Sequence, residues 1–212
     1  PLESVESMVT EQGQMLGFEP PAYGKQATIG GTIACGVSGP RRAFAGAARD
    51  FTLGAKVMNS DGETLNFGGR VIKNVAGYDV SRLMVGAMGT LGIILEISIK
   101  VLQKPDKETT LAFECRPPDA IKAMTDIMAT TLPVTAAAFV DGRLLIRLAG
   151  TSRGVKAARR KLGGETEESQ IWSHIKELSL ANLASEEPLW RVSVPSNSPL
   201  ADISGLQLID WG

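Results

Sequence analysis

The sequence predicts an α+β chain in two parts that meet near Pro105, Asp106 and Lys107. Three observations carry this. Strand-like runs flank Asp-Gly dipeptides at Asp61-Gly62 and again at Asp141-Gly142, the turn chemistry of β-hairpins. Beyond residue 108 the runs follow the order strand, helix, strand, strand, helix, strand, which is the ferredoxin-like pattern. Glycine, 23 residues in all, clusters before residue 93 and thins past Pro105, so the two parts differ in composition.

The elements read as follows. Residues 4–16 predict an amphipathic helix, with Val5, Met8, Val9, Gln12, Met15 and Leu16 on one face. Ser4 would cap its start and Gly17 would end it. Pro20 and Pro21 then force an extended or turning path. Residues 24–48 are rich in Gly, Ala and small polar side chains without a clean period, and read as a loop. Residues 53–59 and 63–67 form the first hairpin. Residues 93–102 form a further strand, in which Leu95, Ile97, Ile99 and Val101 alternate with polar neighbours and should share a buried face. In the second part, a strand over 109–115 precedes Pro117-Pro118 and a helix with Ile121, Met124, Ile127 and Met128 on one side. Residues 136–140 and 143–148 form the second hairpin. Ser152 would cap a helix that runs to Leu162 and stops at Gly163-Gly164. A short helix around Trp172 and a strand over 190–194 complete this part.

Composition narrows function. A formal net charge of -1 with no basic stripe along the chain argues against a nucleic-acid partner. Cys35 and Cys115 provide neither a disulfide framework nor metal-ligand spacing. No apolar run is long enough to span a bilayer. Pro1 falls inside a helical pattern and Gly212 ends without a polar tail, so the chain reads as a piece of a longer one.

Two segments could carry chemistry. In residues 27–42, ATIGGTIACGVSGPRR, paired glycines let successive backbone N–H groups face one concavity that suits an anion, phosphate above all. Thr32 and Ser38 could add hydroxyl donors, and Arg41 and Arg42 charge-assisted bonds. Glycine content alone would equally mark a turn between strands. The segment is neither a GxGxxG fingerprint nor a P-loop. The second segment is KNVAGYD, residues 73–79, followed by GAMGTLGII, residues 86–94. Its backbone at Gly89 and Gly92 could line a flat cofactor, while Lys73 and Asp79 could instead form an internal pair. His174, the only histidine, stands beside Trp172 in a helical stretch and suits packing better than catalysis.

Taken together and in this order, ATIGGTIACGVSGPRR, RDFTLGAKVMNSDG and KNVAGYDVSRLMVGAMGTLGIILEISIKVLQKP resemble the FAD-binding domain of the vanillyl-alcohol-oxidase (PCMH-type) flavoproteins. The stretches GPRR and FGGRVIKNVAGYD, with the later GVKAARRKLGGE, PLWRVSVP and QLIDWG, are similar to the FAD-binding subunits of glycolate oxidases. The resemblance implies part of an FAD-binding domain over residues 1–105 and a truncated ferredoxin-like cap domain over 108–212. It places Thr28, Ile29, Gly30, Gly31 and Thr32 along FAD, with Gly36, Ser38 and Gly39, and adds mainly backbone contacts from Gly89, Gly92 and Ile93. It implies a complex with a second flavin subunit and an iron–sulfur subunit. That complex oxidises glycolate, a small 2-hydroxy acid, and passes electrons to the respiratory chain from the cytoplasmic face of the membrane.

Two departures accompany the resemblance. The family's first FAD-binding subdomain, with its own diphosphate loop, would precede Pro1, and the end of the cap would follow Gly212. The histidine-rich metal motif of related hydroxy-acid dehydrogenases has no counterpart here. The expectation is therefore a subunit that binds FAD and relays electrons or supports assembly, with substrate oxidised mainly in a partner. A scaffold without functional flavin and a stand-alone FAD-dependent 2-hydroxy-acid dehydrogenase are the alternatives.

Overall fold

Helix α1 (Leu2–Glu11) opens the chain, with Leu2 buried in the core and Val5 packed beside it. It is shorter than its hydrophobic period suggests. Gly13 takes a φ of 68°, which ends the helix, and Gln14–Met15 leaves as strand β1, paired antiparallel with residues 102–103. Met8, within α1, is on the solvent side, 67% exposed. The computed structural model describes residues 1–69, 78–180, 188–195, 198 and 207–210. Contacts divide the chain into two units, Pro1–Lys104 and Pro105–Gly212.

In the first unit, the region read as a loop contains three short helices. Helix α2 (Ile29–Cys35) forms despite Gly30 and Gly31 because both of its ends are capped. Thr28 Oγ1 accepts the Gly31 N–H at 3.0 Å, and Gly36 closes the helix in the left-handed region at φ 66°. Ile33, fully buried, anchors it. Helices α3 (Arg42–Ala45) and α4 (Ala48–Phe51) follow. The Asp50 carboxylate accepts the Ala47 N–H at 2.9 Å and starts the latter. Phe18 and Phe51 stack obliquely at 5.7 Å in a core with Leu2, Leu16, Ile33 and Ala48.

Strands β2 (Thr52–Met58) and β3 (Thr64–Gly68) form the expected hairpin. Its turn is organised by Asn59, whose Oδ1 accepts the N–H groups of Asp61 (3.0 Å) and Glu63 (2.9 Å). Helix α5 (Val80–Leu83) is capped by Asp79, which accepts from Arg82 N and from the Ser81 hydroxyl. Strand β4 (Ile93–Ile99) pairs on the other side of β2, giving the order β3-β2-β4. The simple alternation expected for it is broken by a bulge. Val57 faces Ile94 and Lys56 faces Glu96, so Leu95 is the extra residue. Ile94, Ile97, Ile99 and Val101 therefore turn inward, and Leu95 is 47% exposed. Strand β5 (Leu102–Gln103) completes the pairing with β1.

In the second unit, β6 (Lys107–Glu114), α6 (Pro117–Met128), β7 (Val134–Val140), β8 (Arg143–Gly150), α7 (Ser152–Leu162) and β9 (Glu165–Glu167) follow in turn. Helix α8 (Gln170–Lys176) and strand β10 (Ile209–Asp210) come after them. The sheet is antiparallel, in the order β10-β7-β8-β6-β9. Val140 and Arg143 pair directly across Asp141 (φ 51°) and Gly142 (φ 73°), the signature of a two-residue type I′ turn. Thr151, not Ser152, caps α7, its Oγ1 accepting Gly154 N–H at 3.2 Å. Met128 is 44% exposed rather than packed with Met124 and Ile127, because α6 ends there.

One expected strand is absent. Residues 190–194 pair with nothing among the described residues, and Trp190, Val192 and Val194 are exposed. The strand after α7 is instead β9, whose Glu-Thr-Glu sequence has no apolar alternation and which is held by pairing to β6. On one sheet face Ala112, Ala136, Ala138, Val140 and Leu145 pack with Trp172 and Ile175 of α8 and with Leu180. Trp172 Nε1 donates to the buried Thr110 Oγ1 at 2.9 Å, and the Arg147 guanidinium stacks 5.1 Å from the Trp172 ring.

Candidate functional site

The two glycine-bearing segments meet in the first unit. Gly86 N donates to Ile33 O at 3.0 Å and Met88 N to Ala34 O at 2.9 Å, so the 86–88 backbone hooks onto the C-terminal carbonyls of α2. Glycine makes the junction possible. A Cβ on Gly36 would lie 3.1 Å from Gly86 Cα. Gly92, at φ 143°, stands against β2, and a Cβ there would lie 2.7 Å from Val57 Cγ1 and 2.8 Å from Met58 O.

The residues singled out from sequence separate into two groups on this geometry. Gly36, Ser38, Gly39, Thr32 and Gly92 hold the frame. Gly36 N bonds back to Thr32 O and Ile33 O, Gly39 N donates to Phe18 O, Ser38 Oγ accepts Ala48 N–H, and Thr32 is almost fully buried. Thr28, Ile29, Gly30 and Gly31 line the open start of α2. The Ile29 and Gly30 N–H groups have no partner among the described residues, and a Cβ on Gly30 would meet nothing within 4 Å. Gly89, at φ 76° in the exposed turn before β4, likewise offers an N–H without a described partner. Ile93 opens β4 with its side chain 58% exposed, near Met88 (67%) and Leu91 (52%) in the chain. Unpaired N–H groups on accessible glycine backbone can hold an anionic group, and exposed apolar side chains such as those next to Gly89 in the chain can lie along a flat ring.

Arg41 does not belong to this surface. It is 7% exposed, with Nε donating to Glu19 Oε1 at 3.0 Å and its backbone N–H to Glu19 Oε2 at 3.1 Å. That bidentate grip holds Glu19 at φ 46° and ties the segment after α1 to the loop before α3. Residues 73–77, and with them Lys73, lie outside the described residues. Asp79 is occupied in capping α5.

His174 Nδ1 is 3.1 Å from Ser179 Oγ at the end of α8, and among the described residues no carboxylate pairs with it. Burial pushes the Cys115 thiol up, away from thiolate reactivity. Among the described residues no group of His, Cys, Asp and Glu could hold a metal ion, and no helix is long and apolar enough to cross a membrane. The helical form of residues 29–35 and the hook from Gly86 and Met88 escaped the sequence reading. Thr28 three residues before Gly31, with Gly36 beyond, was the available signal for a capped helix.

Residues 1–68 match the FAD binding domain family. The match indicates FAD as the cofactor of the first unit. Over 212 residues, the whole chain, the sequence is 46% identical to the glycolate oxidase subunit GlcE of Escherichia coli (strain K12), and it covers 61% of that protein. It is 37% identical over 127 residues to the glycolate oxidase subunit GlcD of Bacillus subtilis (strain 168), covering 59% of this chain and 27% of that one. Similarity extends to the D-lactate dehydrogenase of Archaeoglobus fulgidus, 33% identical over 129 residues, 60% of this chain and 29% of the relative. The chain therefore spans about three fifths or less of the length of these relatives. Among solved structures, an alkyldihydroxyacetonephosphate synthase superposes with a TM-score of 0.66 at 20% identity, over 82% of this chain and 40% of that one. At that identity the likeness is one of fold.

Proposed function

We propose that this chain is the FAD-binding part of a subunit of a glycolate oxidase complex. The observation that carries the reading is the accessible backbone of Ile29, Gly30 and Gly89 on a frame that other glycines hold together. The 46% identity to a glycolate oxidase subunit over the whole chain supports the same assignment. In this reading the Ile29 and Gly30 N–H groups, with the Thr28 side chain beside them, take a phosphate of FAD. Gly89 and Ile93 lie along a flat portion of the cofactor. Thr32, Gly36, Ser38, Gly39 and Gly92 act by fixing the backbone rather than by reaching the ligand. Residues 108–212 would form a ferredoxin-like cap, in keeping with the element order among the described residues.

FAD, when bound here, would supply a two-electron carrier for the electrons released as glycolate becomes glyoxylate. The protein's own contribution is to bind, orient and shield. No side chain of the described surface stands out as acid or base, which suits a subunit that holds flavin and relays electrons while a partner oxidises substrate. The partners would be a second flavin subunit and an iron–sulfur subunit, assembled at the cytoplasmic face of the membrane.

The test is the G30A variant of the complete subunit. Gly30 lies within α2 with open space beside it, so alanine should stabilise the flavin-free protein by about 0.5–1 kcal/mol through helix propensity. The same methyl group would stand where the cofactor approaches, so bound flavin, measured by absorbance after release, should fall severalfold. Unchanged flavin content would remove the N–H groups of α2 from the binding site.

A further inference from the structure

Helix α7 carries Arg153, Lys156, Arg159, Arg160 and Lys161 with no acidic residue between them. All five are exposed. Val155 and Ala158 turn inward and are buried, so the helix is fixed by its opposite face. Arg153, Lys156 and Arg160 stand at i, i+3 and i+7, and so form one short basic stripe along the outer face, a local feature that the overall charge and a reading along the chain did not register. Arg159 flanks the stripe, its Nη2 donating to Thr166 Oγ1 at 2.9 Å. A shallow depression of about 300 Å³ opens where Lys156, Arg159 and Arg160 meet Gly163 and Gly164.

Stability of the helix does not account for this pattern. In α6 the surface cations are paired locally, Lys122 with Asp126 at 2.7 Å, and Arg116 just before it with Asp119 at 2.9 Å. In α7, Arg153, Lys156, Arg160 and Lys161 have no ion-pair partner among the described residues. Like charges three and four apart on a helix repel each other. The helix dipole favours the cations of the last turn but disfavours Arg153, which sits in the first. The stripe is thus a concentration of charge without ion-pair partners among the described residues, on a helix capped at Thr151 and ended at Gly163, in a chain whose net charge is only -1.

We propose that the Arg153–Lys156–Arg160 stripe is a docking surface for an acidic face of another protein chain. Arginine forks grip carboxylates in pairs of hydrogen bonds, and the depression at Gly163-Gly164 admits an acidic side chain between Lys156 and Arg160. A bilayer surface fits less well, because the apolar side of α7 is buried against its own sheet and the stripe contains no aromatic or large aliphatic side chain to enter the headgroup layer. The inference rests on the reading of this chain as a subunit.

The test uses the complete subunit in its assembled complex. A zero-length carbodiimide, which joins amines to carboxylates already in contact, should couple Lys156 or Lys161 to an Asp or Glu of a co-purifying chain. The triple variant R153E/K156E/R160E should weaken assembly about tenfold or more, with a salt dependence that collapses, while its circular dichroism, Tm and flavin content stay those of the wild type. Assembly as tight as wild type would overturn the proposal, as would lysines equally open to acylation in the complex and the free chain. Intact assembly with loss of binding to phosphatidylserine vesicles would overturn it too, by assigning the stripe to lipid. A subunit that purifies without any companion chain would fail the subunit reading itself, and the docking surface with it.

Discussion

At the residue scale, glycine at Gly92 is demanded twice. Its φ of 143° is one that L side chains rarely adopt, and a Cβ would collide with Val57 and with the Met58 carbonyl. G92A should therefore destabilise the first unit by about 1–3 kcal/mol, read as a lowered urea midpoint, and disturb the Gly89 turn beside it. Gly30 is the contrasting case, since its open surroundings leave folding undisturbed by the same substitution, and on the proposed reading the added methyl group would act on flavin instead. A second residue-scale prediction concerns Thr110. It is 1% exposed and accepts the indole N–H of Trp172 at 2.9 Å. T110V conserves shape but leaves that donor buried without a partner, at a cost of about 1–3 kcal/mol. Equilibrium unfolding that matches wild type would show that Trp172 finds another acceptor.

At the scale of elements, short helices and strands here depend on what lies beside them. Helix α2 contains two glycines, and survives through its Thr28 cap, its Gly36 stop and the burial of Ile33. Strand β4 owes its facing to the Leu95 bulge, which moves Ile94 inward beside Val57. The bulge also places Glu96 opposite Lys56, 2.8 Å from its Nζ. The hydrogen bond and positive charge of Lys56 hold the Glu96 carboxyl below its ordinary value. A depressed carboxylate contributes stability above its unfolded pKa and loses it as pH falls through the folded one. The difference in urea midpoint between wild type and E96Q should thus be constant at neutral pH and vanish on acidification below the usual carboxylate range. A difference that persists in acid would assign it to something other than ionisation.

At the scale of the whole molecule, two units with separate cores confine the effect of the cofactor. Ile29, Gly30 and Gly89 belong to the unit of residues 1–104, so if they hold FAD as proposed, the cofactor should raise the stability of that unit and leave the other unchanged. At a hundredfold excess over Kd the gain is about 2.7 kcal/mol. Hydrogen exchange should show slowed amides at Ile29, Gly30 and Gly89 and unaltered exchange in β7 and β8. Equal protection of both units would mean that the cofactor engages the second unit as well.

What the sequence determined by itself is what nearby residues decide among themselves. The Asp-Gly hairpins, helix α6, helix α7 with its glycine stop, and the change of character near Pro105 all follow from turn chemistry and periodicity that act over a few positions. The glycine-rich segments were also recognisable as candidate site material, because unusual backbone freedom is written in the residue type. The tertiary structure alone decided which of those residues face outward. Ser38 is occupied by Ala48 N, Gly39 by Phe18 O and Arg41 by Glu19, each a partner at least ten residues away. Residues 190–194 alternate like a strand yet pair with nothing described, whereas charged β9 gains its place from β6, over fifty residues earlier. Pairing and burial are properties of two distant segments together, and a local pattern states only that a segment is able to pair, not which partner reaches it first.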